Sequence, residues 1–311
     1  MRRKKNRLII KLILVALVGG GVWFFGRGYL STHSLARPEI GSLASDRGSR
    51  LVEELVNLSE KVKGSFDRIR KQDPPDDDRG DALVVARIGV LSDSHGASRS
   101  IERSLQQMQD ADVGLVLHLG DFTAGGEDYH FAQARALLDE SEIAYQVLPG
   151  DHDFNWVPEH SRRNYEAVFG PAYDRVYNLT DTLSLILFDN SVDEADVASK
   201  IGWLEAQLQE TRERPQTVIF FSPRPLYSPY FADKADPRGE RIMQILADAG
   251  VEYAIAGNTH VFAAYRDPAE NLDLITVGAV GEYKNPLPQW VLVEIYGNGE
   301  IKFSPKPLVE F

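Results

Sequence analysis

The sequence predicts an α/β domain that carries its chemistry at one edge of its sheets. From residue 84 to the C-terminus, short apolar runs rich in β-branched residues alternate with longer segments of helical periodicity. Several of these runs end in polar clusters, and the first, Arg87 to His95, leads from a buried strand into an Asp-x-His sequence. Loops at the carboxyl ends of strands stand on a rigid base, and open α/β sheets place functional side chains there. We therefore expect the functional site of the protein at the carboxyl end of this strand.

Composition limits the class of protein. The chain has 311 residues, of which 43% are hydrophobic and 26% charged, enough for one sizeable core and an extension. It contains no cysteine, which excludes disulfides, cysteine zinc sites and thiol nucleophiles. The net charge is −12, and because residues 1–25 hold six basic side chains and no acidic one, the remainder carries −18. A body this acidic repels nucleic acid, so we expect no nucleic-acid partner.

The N-terminal sequence predicts a membrane anchor. A basic tail at residues 1–7 precedes an apolar run at residues 8–25, which is interrupted only by Lys11. A helix of this length reaches roughly 27 Å, enough for a bilayer core. Because the basic flank stays cytoplasmic, the sequence predicts a single-pass membrane protein with a cytoplasmic N-terminus and an extracytoplasmic main domain. A cleaved signal peptide is the alternative, since Ser34-Leu35-Ala36 places small residues where a cleavage site needs them.

Residues 26–81 are predicted to form a stalk helix and an acidic linker, before a main domain at residues 82–311. Apolar residues recur every three or four positions from Ser49 to Lys71, which predicts an amphipathic helix. This helix either packs on its own domain or forms a coiled coil between two copies, so a homodimer through residues 49–71 is one alternative. The sequence DPPDDDRGD at residues 73–81 follows as a solvated linker.

The rest of the chain alternates between strand and helix patterns. The strand-rich second half indicates a mixed or doubled sheet with helices outside. Gly297-Asn298-Gly299, between two strand-like runs, marks a hairpin near the C-terminus. Strands are predicted at residues 84–91, 113–118, 143–148, 183–189, 217–221, 251–256, 274–278 and 290–296, and helices at residues 98–110, 128–140, 160–169, 199–211 and 238–249.

Four strand ends share one design, in which an apolar run is followed by carboxylate, amide or imidazole groups. Taken singly, such residues are common turn formers and helix caps. Four separate strands that direct metal-binding groups to one edge are hard to explain by packing, which favours a metal site. The stretches are LSDSHG with Asp93 and His95, HLGDFT with Asp121, LPGDHDF with Asp151, His152 and Asp153, and IAGNTHVF with Asn258 and His260.

This series of motifs, in this order and at these spacings, resembles the calcineurin-like metallophosphoesterases from roughly Val84 to the C-terminus. The resemblance implies a four-layer α/β/β/α sandwich with a two-metal site, usually for Mn, Fe, Zn or Mg, that hydrolyses phosphomonoesters, phosphodiesters or pyrophosphates. It implies that His152 acts on the leaving oxygen or on the charge of the transition state. It also implies a first metal held by Asp93, His95, Asp121 and His260.

The sequence departs from the family's pattern at the second metal site. Asp151 stands in place of an Asn, Asn258 in place of a His, and Pro223 in place of a further His. Proline offers no side-chain ligand and Asn is a weak replacement for imidazole, whereas Asp151 can partly compensate as an anionic donor. We therefore expect one strong metal site and, across a bridging Asp121, a poorly held second one. Arg224 follows Pro223, where the family's pattern has a metal-binding His. Its guanidinium either faces the phosphate of a substrate in place of a cation or lies exposed on a loop.

Two functions of different class follow from these residues. The first is a membrane-anchored, metal-dependent phosphoesterase that hydrolyses a phosphomonoester or phosphodiester of a small molecule, lipid or polymer outside the cytoplasm. The second is a catalytically impaired phosphoesterase-fold module with a binding or structural role in the cell envelope. The complete first site and His152 favour the enzyme, and the loss of two imidazole ligands favours the module.

Overall fold

The structure is a computed structural model that describes residues 83–308, apart from residues 156–160, 172, 181, 192–193, 213–216, 268 and 270. The predicted basic tail, membrane anchor, stalk helix and acidic linker all lie outside the described residues. Within the described part of the chain, no helix has the length and apolarity that crossing a membrane requires.

The described residues form eleven β-strands and five α-helices, with short 3-10 turns at Asp151–Asp153 and Ala232–Lys234. The strands are β1 (Val84–Leu91), β2 (Leu115–His118), β3 (Ala144–Val147), β4 (Arg175–Thr180), β5 (Leu183–Leu187), β6 (Thr217–Ser222), β7 (Tyr253–Ala256), β8 (Ala263–Asp267), β9 (Leu272–Thr276), β10 (Gln289–Tyr296) and β11 (Ile301–Pro307). The helices are α1 (Ser98–Asp110), α2 (Asp128–Glu140), α3 (Arg163–Phe169), α4 (Glu194–Arg212) and α5 (Gly239–Asp248).

The strands form two sheets. The first has the order β11-β10-β1-β2-β3, in which β1, β2 and β3 run parallel and β10 and β11 run antiparallel to their neighbours. The second has the order β4-β5-β6-β7-β9-β8, with a parallel centre and antiparallel strands at both edges. Parallel neighbours need crossover connections, which is why helical segments separate most of the parallel strands along the sequence.

Three hydrophobic clusters hold these elements together. Successive residues of a strand face opposite sides of a sheet, so a strand covered on both faces is apolar throughout. In β1, Ile88 and Val90 belong to the cluster between the sheets, whereas Leu91 packs with residues of α1 and α2. In β6, Ile219 belongs to the cluster between the sheets and Phe220 packs with residues of α4 and α5. The layers are therefore helices, sheet, sheet and helices, in agreement with the sequence-based expectation.

The predicted strand ranges omit β11, which only the hairpin at residues 297–299 implies, and the sequence patterns miss β4 and β8 altogether. Both are edge strands of the second sheet, and most of their residues are half-buried or exposed. An edge strand has an open side and need not be apolar, which explains why the sequences RVYNLT and AAYRD show no strand pattern. Helix α4 also begins earlier, at Glu194, than the helix predicted at residues 199–211.

Replacing Leu185 by alanine should lower the free energy of unfolding by about 2–5 kcal/mol, because the side chain is fully buried between the sheets and its loss leaves a cavity. Leu83→Ala is the control, since Leu83 is 42% exposed, and should change this free energy by less than about 0.5 kcal/mol. Denaturant titration of the full-length chain measures both. Equal losses in the two variants would contradict the place of Leu185 in the core.

Candidate metal centre

The loops after β1, β2, β3 and β7 converge at one edge of the two sheets. Hydrogen bonds join them: the backbone N–H of His95 donates to the carbonyl of Asp121 at 2.9 Å, and that of Asn258 donates to Oδ2 of Asp93 at 3.1 Å. The second of these bonds connects the first sheet to the second. The predicted site residues lie on these loops, with Asp93 and His95 after β1, Asp121 after β2, Asp151 and His152 after β3, and Asn258 and His260 after β7.

Four of these side chains converge on one point. Asp93, His95, Asp121 and His260 each offer an atom, and these atoms lie within 4.8 Å of one another. Oδ1 of Asp93 is 3.3 Å from Nε2 of His260, and Oδ2 of Asp121 is 3.6 Å from Nε2 of His95. All four atoms are buried, and none has a hydrogen-bond partner among the described residues. Because buried polar atoms are normally paired, this set fits a divalent cation bound by two carboxylate oxygens and two imidazole nitrogens.

Hydrogen bonds from the surrounding loops fix the orientation of these groups. Oδ1 of Asp121 accepts the backbone N–H of His152 at 3.0 Å, so only its other oxygen is directed to the shared point. Nδ1 of His95 lies 3.0 Å from the carbonyl of Thr123. A carbonyl only accepts, so Nδ1 carries the proton and Nε2 presents its lone pair to a metal.

The backbone at this site has an unusual conformation. Asp93, His95, Asp121, Asn258 and His260 all have positive φ angles, between 44° and 66°. They are five of the eight non-glycine residues with positive φ in the described part of the chain. The left-handed region is sparsely populated for residues other than glycine, and such strain concentrates at functional sites. The ligand side chains therefore owe their positions to sharp turns directly after the strands.

Two glycines allow the ligand loops to pack closely. A Cβ atom at Gly150 would clash with Oδ1 and the backbone nitrogen of Asp121, and one at Gly257 would clash with Oγ of Ser92. Any larger residue at either position would displace a loop that carries a predicted ligand. The glycines in these stretches are thus explained by loop packing.

Burial and neighbouring charges set the protonation of the ligands. Burial raises the pKa of Asp93, but the imidazoles of His260 and His95 outweigh it and hold this pKa at about 2. Burial lowers the pKa of His95 to about 3, so its ring stays neutral at physiological pH. Burial, together with the charges of Asp93 and Asp151, raises the pKa of Asp121 well above its usual value. A cation that binds here therefore competes with a proton on Asp121.

A second cluster adjoins the first through Asp121. Asp121, Asp151 and His152 offer atoms within 4.8 Å of one another. Nδ1 of His152 donates to the carbonyl of Ala124 at 3.1 Å, which leaves Nε2 as the free nitrogen. The ring of His152 lies 4.9 Å from that of His95, measured between centroids. His152 is thus placed beside the four converging ligands without being one of them.

The two positions where the family's pattern has imidazoles, Asn258 and Pro223, offer a metal weaker groups than imidazole. Nδ2 of Asn258 donates to the carbonyl of Lys234 at 3.2 Å, which fixes its amide. The carbonyl of Pro223 accepts the N–H of Gly257 at 3.1 Å. The proline therefore offers a metal neither a side-chain ligand nor an unpaired carbonyl.

Arg224 is half-buried on the loop after β6. The side chain of Asn190 bonds to its backbone twice. Oδ1 of Asn190 accepts the N–H of Arg224 and Nδ2 donates to the carbonyl of Arg224, each at 2.9 Å. Nη2 of Arg224 lies 3.5 Å from the carbonyl of Ala235, and its Nε atom is buried with no partner among the described residues. The side chain therefore packs against the protein at this edge, and its contact with phosphate stays a prediction.

Sequence patterns also miss Lys284, on the loop between β9 and β10. The N–H of Gly281 donates to the carbonyl of Asp93 at 3.1 Å, and that of Lys284 donates to the carbonyl of Gly281 at 3.0 Å, so this loop packs on the Asp-x-His turn. The ammonium group of Lys284 lowers the pKa of His95 more strongly than the imidazole of His152 does. No motif marks this lysine, because β9 is followed by apolar residues and glycine instead of a polar cluster.

Comparison with protein families identifies the class of protein. A model of the calcineurin-like phosphoesterase family matches residues 86–262, more than half of the chain, and the chain belongs to this family. Membership supports the predictions of a phosphoester hydrolase, of a phosphorylated substrate and of a divalent metal. A comparison with proteins of curated function finds no match.

Solved structures share the fold. A dimetal phosphatase from Danio rerio is 15% identical with a TM-score of 0.61, over 73% of this chain and 98% of that one. A purple acid phosphatase from yellow lupin (Lupinus luteus) seeds is 13% identical with a TM-score of 0.56, over 72% of this chain and 51% of that one, so this chain spans about half of the lupin enzyme. GAP50, the anchor in the inner membrane complex of Plasmodium, is 13% identical with a TM-score of 0.52, over 72% of this chain and 89% of that one. At these identities the likeness shows the fold alone.

Replacing Asp93 by asparagine should weaken Mn²⁺ or Zn²⁺ binding at least about tenfold, because the charged oxygen without a partner is lost. Asp112→Asn is a matched control, since Asp112 also has a positive φ, 52°, and lies away from the cluster. Metal content after dialysis and calorimetric titration measure the effect. Wild-type metal content in the Asp93 variant would contradict its role as a ligand.

Metal binding should release a proton and strengthen as pH rises. The raised pKa of Asp121 means that the metal-free site holds a proton up to a higher pH than an ordinary carboxyl does, and the metal must displace it. Where one proton is displaced, each unit of falling pH weakens binding by about tenfold. Titration calorimetry at one pH in buffers of different ionisation enthalpy counts the protons. Identical heats in all buffers would show that none is released.

Proposed function

We propose that the protein is a membrane-anchored, metal-dependent phosphoesterase that hydrolyses a phosphomonoester or phosphodiester outside the cytoplasm. The observation that carries the metal-dependent activity is the convergence of four buried atoms without partners among the described residues. Two imidazole nitrogens favour Zn, Fe or Mn over Mg, which prefers oxygen ligands. The proposed ligand atoms are Oδ1 of Asp93, Nε2 of His95, Oδ2 of Asp121 and Nε2 of His260.

The residues around the four proposed ligand atoms have distinct roles in the proposed hydrolysis. A divalent cation held there supplies Lewis-acid activation of the phosphoryl group and of water. His152 moves the proton: Ala124 holds its Nδ1–H, so Nε2, when protonated, donates to the leaving oxygen. Lys284 lies on the loop that bonds to the carbonyl of Asp93, and we propose that its positive charge favours an anionic phosphoryl group over a neutral one.

For the second metal we propose a weak site. Asp121 and Asp151 supply carboxylate oxygens, whereas Asn258 and Pro223 remove two imidazoles from the family's pattern. A ligand set reduced to oxygens favours Mg, Mn or Ca. Arg224 is the side chain that we assign to balance phosphate charge on this side, supported by its burial and its unpartnered Nε.

The N-terminal sequence supports the location that we propose. The basic tail at residues 1–7 and the apolar run at residues 8–25 favour an anchor with the domain at residues 82–311 outside the cytoplasm. The amphipathic pattern at residues 49–71 supports a homodimer as one arrangement of the stalk. A domain held there meets phosphorylated small molecules, lipids and polymers, and we propose its substrate among them.

The second candidate function is a phosphoesterase-fold module with a binding or structural role in the cell envelope. The loss of imidazoles at Pro223 and Asn258 favours it. GAP50, an anchor in the inner membrane complex of Plasmodium, is similar in fold. Fold likeness does not decide between enzyme and module, and His152 favours the enzyme because a scaffold has no chemical need for it.

Hydrolysis of an aryl phosphomonoester and an aryl phosphodiester by the full-length chain, with metal content measured in parallel across Mn, Mg, Zn and Ca, tests the proposal. We expect turnover with at least one metal and a loss of about 10²- to 10⁴-fold in His152→Ala. His130→Ala is the control for loss of a neighbouring imidazole, since the His130 ring packs against Gly96 but belongs to neither cluster of metal-binding groups. A metal-loaded protein inert toward both esters would reject the enzyme in favour of the module.

A further inference from the structure

Thr123 lies on the loop after β2, two residues beyond Asp121, and it is fully buried. A threonine has no imidazole or carboxylate to offer a metal, and its hydroxyl does not titrate at physiological pH, so any part in hydrolysis must act through other residues. Its backbone N–H, its carbonyl and its hydroxyl are hydrogen-bonded to residues of the loops after β1, β2 and β3. Thr123 is therefore a junction of three loops that carry the proposed site.

The carbonyl of Thr123 fixes the ring of His95. It lies 3.0 Å from Nδ1 of His95 and accepts the proton there, which leaves Nε2 for a metal. The position of this carbonyl is itself fixed, because the N–H of Thr123 donates to Oδ1 of the fully buried Asp153 at 3.0 Å. Oδ2 of Asp153 accepts the N–H of Gly150 at 2.9 Å. The backbone of Thr123 therefore connects His95 with the loop that carries His152.

The hydroxyl of Thr123 holds the backbone of His152. Oγ1 donates to the carbonyl of His152 at 2.8 Å and accepts the N–H of Gly126 at 2.7 Å. Oδ1 of Asp153, at 3.3 Å, is the more distant acceptor for the single hydroxyl proton. One hydroxyl thus joins His152 to the turn at residues 123–126.

This turn presents the carbonyl that holds the ring of His152. Nδ1 of His152 donates to the carbonyl of Ala124 at 3.1 Å, and Ala124 lies between the two residues that the hydroxyl bond joins, Thr123 and Gly126. The N–H of His152 donates to Oδ1 of Asp121 at 3.0 Å. All polar groups of His152 except Nε2 are therefore bonded, two of them to Thr123 and its neighbour Ala124.

We propose that Thr123 is a positioning residue for hydrolysis, which orients His95 as a metal ligand through its carbonyl and His152 as the proton donor through its hydroxyl. This role rests on the proposed function, because it is a part in that reaction. Valine has nearly the shape of threonine but lacks the hydroxyl, so Thr123→Val leaves the carbonyl of His152 and the N–H of Gly126 without this partner. The turn then loses the bond that fixes the carbonyl of Ala124, and Nε2 of His152 is no longer held in place. Because the carbonyl of Thr123 stays, metal binding should change little.

Turnover of two esters by the full-length, metal-loaded chain tests this role. A phenyl ester has a poor leaving group that needs a proton from His152, whereas the leaving group of the dinitrophenyl ester departs without one. Thr123→Val should lower kcat at least about tenfold for the phenyl ester and less than about threefold for the dinitrophenyl ester, with metal content unchanged. Thr123→Ser keeps the hydroxyl and should restore the wild-type ratio of the two rates.

Thr259→Val is the matched control. Thr259 is also buried, lies on the loop after β7 beside His260, and donates its hydroxyl to the carbonyl of Val261 at 3.1 Å. The same change there should leave the ratio of the two rates as in the wild type. Thr123→Val should have no further effect in the His152→Ala background, because both changes remove the same function. An equal loss for both esters, or a loss that adds to that of His152→Ala, overturns this role.

A second measurement does not depend on turnover. Proton–nitrogen correlation NMR of the histidine-labelled, full-length chain at alkaline pH reports which ring nitrogen of His152 carries the proton, with the signal assigned by its loss in His152→Ala. We expect the Nδ1–H form in the wild type and in Thr123→Ser, and a mixture of both forms in Thr123→Val. The Nδ1–H form alone in Thr123→Val overturns this role.

The two measurements separate this role from the proposed function. If the wild type hydrolyses neither ester, the proposed function fails, while a mixture of ring forms in Thr123→Val still supports the positioning of His152 by Thr123. If the wild type is active and Thr123→Val keeps its ratio of rates, the proposed function stands and the role of Thr123 fails. Thr123→Ala removes the same hydroxyl and replaces Thr123→Val in both measurements if that variant does not fold.

Discussion

Two buried carboxylates, Asp93 and Asp121, are the constraint on which the edge of this domain depends. Burying two like charges side by side is unfavourable, and the two carboxylates have opposite pKa shifts. Neighbouring imidazoles lower the pKa of Asp93, while burial and the charge of Asp93 raise the pKa of Asp121. Each carboxylate accepts a backbone N–H from a loop of another strand with one oxygen and leaves the other without a partner. A cation at the shared point would thus neutralise the carboxylates and hold the loops of both sheets together.

The strained backbone of these loops follows from the same constraint. Asp93 and His95 are two residues apart on a turn that must direct both side chains to one point, and both have positive φ. Left-handed backbone at non-glycine residues is tolerated only where surrounding contacts over-determine it. Here the contacts are the backbone bonds to the β2 and β9–β10 loops, and the fully buried strands of both sheets support them. The ligand positions are therefore held by the strand ends and by these loop contacts.

The fold is predictable from the sequence wherever burial is complete. Strands such as β1 and β6 are apolar on both faces because both faces are covered, and the polar groups at their ends then stand out as motifs. The edge strands β4 and β8 lack that signal because most of their residues are half-buried or exposed. The place of Lys284 near the centre is not predictable, since it depends on packing between segments far apart in the chain, which leaves no local pattern.

The two sides of the centre differ in how their polar groups are satisfied. On the side of Asn258 and Pro223, neither residue offers an imidazole, the amide Nδ2 of Asn258 donates to the carbonyl of Lys234, and the carbonyl of Pro223 accepts the N–H of Gly257. On the side of the four proposed ligands, the converging atoms have no protein partner in the described structure. A buried polar atom without a partner is costly and needs a ligand, whereas a bonded one does not. This difference supports our proposal of one strong metal site, at the four converging atoms.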